Sequence, residues 1–286
     1  SRWDIASNLH FLFLELIDPL DDDAAKNSGW QYFPQRFYPL GIALFMLIGA
    51  TGLGGVLLRV ILPRGRFTAG EFLFFAVAVG FSASSLLVLF CGLAGLLSRG
   101  FIGGLLTLCA VISIVVETIQ PEGSLRGLVR HLRPPHSEAD SSDVQSTKQI
   151  PFASIVKYAC CGACLPFVLC MMLGASLPST DFDVKEYHLE GPKEWFEQGK
   201  ITFLPHNVYT SFPFLTEMLL LEAMVLTGDW WWGALAGKLT LMCFGPLTGW
   251  GVFLAARRWW GPTAGWLAML IHLSTPWTYR ISIIAY

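Results

Sequence analysis

Between residues 179 and 229 the chain places Asp181, Asp183, Glu186, Tyr187, His188, His206 and Glu217 in one polar, aromatic segment that follows an apolar run. Carboxylates and imidazoles within hydrogen-bond reach of a substrate are the groups of general acid–base chemistry. Thr180 or Asp181 suits a helix N-cap. Asp183 then falls in the first helical turn, where the helix dipole favours a carboxylate. Tyr187, four residues on, shares its face, and His188 is adjacent. Gly191-Pro192 permits a break and a second helix start, and Gly199 ends that helix. A base at the exit of an apolar run is well placed for a lipid-borne substrate. The plainer roles are solvated caps for Asp181 and Asp183, and surface or packing roles for His188 and His206. Glu217 sits on an apolar helix, so its carboxylate should face a polar cavity or the interface.

Cys161-Gly-Ala-Cys164 has the spacing of redox or metal-binding pairs. It has no second ligand pair and no nearby His, and it lies in an apolar run. The seven cysteines all fall in such runs, so they read as small polarizable core residues without a disulfide framework.

The elements that must hold these residues are membrane helices. Hydrophobic residues make up 53% of the 286 and charged ones only 14%, with a mean hydropathy of +0.53. Soluble proteins average about 25% charged residues. An ordinary cytosolic enzyme and a disordered chain are excluded. The net charge of −2 excludes a basic nucleic-acid binder. The expected fold is an all-α, polytopic membrane helix bundle with an external loop of juxtamembrane helices.

A helix needs about 20 mostly apolar residues to cross the hydrocarbon core. Six runs are read as spans: Phe37 to Leu58, Phe72 to Ser98, Gly100 to Val116 after a tight turn at Arg99-Gly100, Tyr158 to Pro178, Trp230 to Ala256 and Trp259 to Tyr279. None alternates as a barrel strand does. Arg59, Arg64 and Arg66 make the first link cytoplasmic by the positive-inside bias. The segment 179–229 is then external and Arg257-Arg258 internal. On this topology 15 of the 21 acidic residues are external. Phe212 to Leu226 is short and carries Glu217 and Glu222. It reads as a helix lying on the outer membrane surface or packed against the bundle.

Three parts follow. Residues 1–119 are a three-span unit with an external N-terminal segment. Residues 120–152, rich in Ser, Pro, Asp and Arg, are a flexible cytoplasmic linker. Residues 153–286 are a second unit, with spans at about 155–178, 230–256 and 259–279 around the 179–229 loop. There is no internal repeat. The chain begins with Ser and ends within an apolar run, which reads as a fragment of a longer protein.

From Phe182 to about Ala285 the sequence resembles the start of the GT-C glycosyltransferase superfamily. Its nearest branches are the dolichyl-phosphate-mannose–protein mannosyltransferases and the bacterial aminoarabinose transferases. The resemblance rests on order and spacing: Asp183 and Tyr187-His188, then Gly199, Leu204-Pro205-His206-Asn207, Phe212-Pro213, Glu217-Met218, Gly228-Asp229, Lys238-Leu239, Pro276 and Arg280. The chain departs from the pattern at Val184, where many relatives have Glu, and at Ser211-Phe212-Pro213, where others have Lys-Pro-Pro. The first three spans carry no such likeness.

The resemblance implies transfer of a sugar from a polyprenyl-phosphate carrier to an external lipid, glycan or protein acceptor, in the plasma (inner) membrane of a cell envelope. Asp183 takes the role of base or positioning group, with Tyr187 and His188 beside it. Lys238 and Arg280 are assigned to the lipid phosphate, with His206 and Glu217 as further substrate-binding groups. Snorkelling or packing against Glu217 is the plainer role for Lys238. No cofactor is fixed. A divalent metal stays open, with His188, His206 and Glu217 as ligands. The fragment alone is expected to be inactive. The competing reading is a transporter or flippase-like membrane protein without transferase activity. A third is a non-catalytic scaffold, in which Asp183, His188 and Glu217 do not converge.

Overall fold

The structure is a computed structural model that describes residues 34–61, 67–119 and 152–285. Among these residues it is all-α, with no strand. The linker at 120–152 and the N-terminal segment to residue 33 fall outside them almost entirely. The helices are α1 (Phe37–Ile61), α2 (Ala69–Leu93), α3 (Arg99–Ile119), α4 (Phe152–Ala175), α5 (Glu190–Gln198), α6 (Glu217–Thr227), α7 (Trp230–Met242), α8 (Phe244–Trp260), α9 (Pro262–Ser274) and α10 (Pro276–Ile283). A π-helical turn, Val184–His188, and a 3-10 turn, Val208–Ser211, lie between α4 and α6. Five segments are long and apolar enough to cross a membrane: Pro34–Ile61, Ala69–Leu93, Arg99–Val116, Ser154–Ala175 and Trp230–Trp260. The chain is a multi-pass membrane protein.

Lipid tails are as apolar as leucine, so helices in a membrane associate by close packing rather than by leaving water. The N-terminal helices show how. Gly54 of α1 lies on the carbonyl of Ala76 in α2, and Gly80 of α2 lies on the carbonyl of Ala50. Gly52 meets the backbone of Ala110 in α3, and Gly49 meets Leu106. A methyl group at these positions would collide with a neighbouring chain. The start of α2 is fixed by a reciprocal cap: the Thr68 amide donates to Glu71 Oε2 (2.9 Å) and the Glu71 amide donates to Thr68 Oγ1. The turn into α3 is at Gly95, with φ of 70°, and Arg99 is already helical. This places the turn four residues before the expected Arg99-Gly100.

The C-terminal half departs further from expectation. α6 and α7 form an antiparallel hairpin closed at Gly228, whose φ is 70°. Gly233 packs on the Met224 backbone and Gly237 on Leu220. Asp229 caps α7 by accepting from the Trp232 amide at 2.8 Å. All eleven residues of α6 are buried, against α2, α3, α5 and α7. It is therefore packed inside the bundle and does not lie on a membrane surface. The expected fifth span is a bent pair, α7 and α8, with Cys243 at the bend. The expected sixth span, 259–279, is not one helix. Thr275 is extended before Pro276, which lacks an amide hydrogen and disfavours helix in the residue before it. α9 has 13 residues, about 20 Å, short of the roughly 30 Å core. It returns antiparallel along α8, with Gly265 against Phe253 and Gly249 against Leu273.

The bundle has two distinguishable ends. At one, Arg258 of α8 pairs with Glu71 of α2 (3.1 Å) and Gly70 meets Trp250. At the other, the Ile201 amide donates to the Gly92 carbonyl at the close of α2 (2.9 Å), and the Ile201 side chain fills the space over Gly92. The loop 176–216 is thereby docked on the N-terminal helices as well as on its own half.

Candidate functional site

At the loop end, α4 stops at Ala175 and its last turn leaves carbonyls without helical partners. Two residues beyond it, Leu177 O accepts from Lys238 Nζ at 2.8 Å. Lys238 projects from α7 and is buried, 5% exposed. A lysine inside a bundle needs partners, and Asp181 and Arg280 are the charges near enough to act on it. Arg280 Nη2 donates to Asp181 Oδ1 at 2.5 Å, with the arginine half exposed. The break at Thr275-Pro276 makes this pair: α10 turns back, so that Ile283 meets Gly174 and Ser282 meets Gly245. Two cations and one carboxylate thus gather at one corner. Ser179 Oγ, two residues before Asp181, is buried with no hydrogen-bond partner among the described residues.

Asp183 is exposed, caps nothing with its side chain, and makes no hydrogen bond or ion pair among the described residues. The expected first turn is π-helical, with the Leu189 amide donating to Val184 O at 2.8 Å. Tyr187 stacks on Tyr209 (4.9 Å between centroids) and on Phe214 (6.4 Å). Neither Thr180 nor Asp181 is a cap; the Asp181 carboxylate belongs to Arg280. α5 starts at Glu190, ahead of the expected break at Gly191-Pro192, and ends, as expected, with Gly199 left-handed at φ of 68°.

His188 and Glu217 form a second centre. His188 Nδ1 and Glu217 Oε1 share a hydrogen bond of 2.5 Å, and Thr216 Oγ1 donates to Glu217 Oε2 at 3.1 Å. Glu217 is 4% exposed on its side chain and opens α6, where the helix dipole favours a carboxylate. Phe214 sits against the ring of His188. Glu217 is thus held by His188 and not by Lys238, which donates to the Leu177 carbonyl. His206 is elsewhere: Nε2 meets Glu194 Oε1 at 2.8 Å on the surface. The three proposed metal ligands are therefore not one set. Among the described residues no group of three or more His, Cys, Asp or Glu is arranged to hold a metal ion. Cys161 and Cys164 are free thiols, as are the other five cysteines.

Two polar features were not anticipated. Glu222, near the middle of α6, is 1% exposed, and the Ser84 hydroxyl of α2 is shared between its two oxygens at 2.9 and 2.8 Å. Burial pushes this carboxyl up to about 7, against the opposing pull of Ser84. The other is Lys193, whose ammonium donates to Glu190 Oε1 at 2.9 Å and lies 5.0 Å from the centre of the Trp230 ring. The Glu190 hydrogen bond holds its pKa above the usual lysine value. This pair ties α5 to the start of α7.

Of the expected site residues, Lys238 and Arg280 come together with Asp181, His188 and Tyr187 come together with Glu217, and Asp183 and His206 each stand apart from both. Compared with protein families, with characterised proteins and with solved structures, the chain finds no match.

Proposed function

We propose that this chain is part of a membrane glycosyltransferase of the GT-C kind, which transfers a sugar from a polyprenyl-phosphate carrier to a lipid, glycan or protein acceptor outside the cell's inner membrane. The observation that carries the reading is the corner formed by Lys238, Arg280 and Asp181 at the loop end of the bundle. A departing lipid phosphate needs preorganised positive charge in a water-poor place. Two cations against one carboxylate leave one positive charge over, and the unpartnered Ser179 hydroxyl adds a donor. Asp183 follows Asp181 by two residues and has a carboxylate that no other group occupies. In the reaction, Asp183 accepts the acceptor's proton as the new glycosidic bond forms and the bond to phosphate breaks. The positive-inside bias, with Arg258 at the opposite end, supports reading that end as cytoplasmic. Nothing in the charge balance favours nucleic acid.

Asp183→Asn, made in the full-length protein, tests this in membranes. Transfer is abolished while expression and insertion persist. Undiminished transfer by the variant ends the assignment. One observation favours the transporter reading instead: Glu222 is a buried carboxylate inside the bundle, the usual place for a coupling residue. That reading requires Glu222→Gln to stop substrate flux across a vesicle membrane while Asp183→Asn does not.

A further inference from the structure

A groove of about 450 Å³ opens at the loop end between α1, α3 and the end of α6. Ile42 and Phe45 form one wall and Leu226 the other; Gly100, Gly103, Gly104 and Thr107 form the floor, and Arg99 stands at the rim. The floor residues recur at three- and four-residue intervals, so they share one face of α3. Glycine in a helix is less stable than alanine by about 1 kcal/mol, and at Gly49, Gly52, Gly54 and Gly80 close helix contacts explain it. Here they do not. A Cβ built on Gly104 would meet nothing within 4 Å, and one on Gly100 only Ser98 Oγ at 4.0 Å. What these glycines give is depth. Thr107 turns its hydroxyl to the Gly103 carbonyl (2.7 Å), which leaves its methyl for the groove. Arg99 is exposed and makes no hydrogen bond or ion pair among the described residues. Asp229, close in the chain to Leu226, is occupied in capping α7.

We infer that this groove binds an anionic phospholipid of the surrounding leaflet, with its phosphate on Arg99 and one acyl chain along the Gly100–Thr107 face. Charge complementarity selects this occupant. The one ionic group of the lining is a cation, and it sits where α3 begins, at the level of the headgroups. The apolar floor runs from there about 10 Å toward the middle of α3. Arg99 offers paired N–H groups in the geometry that grips phosphate oxygens. This inference does not rest on the transferase reading, because it uses none of the residues assigned to transfer.

Native mass spectrometry of the detergent-purified protein, titrated with dioleoyl phosphatidylglycerol or dioleoyl phosphatidylcholine, provides the test. Wild type retains phosphatidylglycerol in preference to phosphatidylcholine. Arg99→Ala removes one charge-assisted contact and weakens phosphatidylglycerol binding about tenfold, so the preference is lost. Gly104→Leu fills the groove and reduces binding of both lipids. Both sites are open to solvent or lipid, and thermal melting confirms folding of each variant. The inference is overturned if wild type holds the two lipids equally, if Arg99→Ala keeps the preference, or if Gly104→Leu binds as wild type does. The last result is also expected if another part of the chain fills the groove.

Discussion

Two carboxylates of this membrane protein show opposite solutions to the same problem. Asp181 lies at a helix end, pairs with a half-exposed arginine, and shares its corner with Lys238. Glu222 lies in mid-helix, sealed in the bundle, with a single serine hydroxyl as partner. The first arrangement sets opposite charges against one another and can exchange a partner for a ligand. The second disfavours charge, because burial pushes its carboxyl up to about 7. The difference follows from the elements that carry them. Broken helix ends expose carbonyls and turn side chains toward one another, while the middle of a packed helix offers only what the neighbouring helix happens to present.

The comparison breaks first at the charged corner. Lys238→Ala or Arg280→Ala is expected to cut sugar transfer by about 10²-fold or more, with little change in melting temperature for Arg280, which is half exposed. An equal loss of folding in both variants would make the corner structural rather than ligand-binding. Radiolabelled transfer and thermal melting on the same samples read the two effects.

Glu222 sharpens the other side. Its folded pKa lies above the unfolded carboxyl value, so its contribution is fully present below about pH 4.5 and is lost as pH rises through about 7. The loss is on the order of 3 kcal/mol. Melting temperature should fall between pH 5 and 8 in wild type, and Glu222→Gln should flatten that part of the profile. A profile unchanged by the substitution contradicts the sealed-carboxyl account. The effect at Glu217 is smaller. Glu217→Gln weakens the hydrogen bond to His188 and destabilises by about 1–3 kcal/mol, read by denaturant unfolding, with the double variant at His188 showing the two effects to be non-additive. Smallest is His206→Ala, a surface pair expected to change stability by no more than about 0.5 kcal/mol.

Much of the architecture was legible in the residues. Uncharged runs longer than 20 residues announce α1 and α2. Gly199 and Gly228 end their helices as left-handed residues. Hydropathy misleads where it runs on through a breaker: the apolar run 259–279 passes over Pro276, and only the helix ladder shows that Pro276 divides it. It also cannot tell a helix facing lipid from one surrounded by protein, so the full burial of α6 is invisible in its composition. The pairings that make the site are less legible still. His188 and Glu217 are 29 residues apart, Asp181 and Arg280 99, and Ser84 and Glu222 138. No local spacing rule reaches across such distances. Lys238 and Arg280 were singled out from the sequence, but Asp181 was read as a cap, because the turn-back of α10 that delivers Arg280 depends on contacts with α4 and α8.

The central claim is that the corner of Lys238, Arg280 and Asp181 receives a lipid-linked phosphate. A photoreactive polyprenyl phosphate, cross-linked to the protein in membranes and mapped by peptide mass spectrometry, tests it directly. The account predicts labelling in residues 176–183 and 276–285, competed by unlabelled polyprenyl phosphate and lost in the Lys238→Ala, Arg280→Ala double variant. Labelling spread over the lipid-facing helices, with no competition and no loss in the double variant, contradicts it.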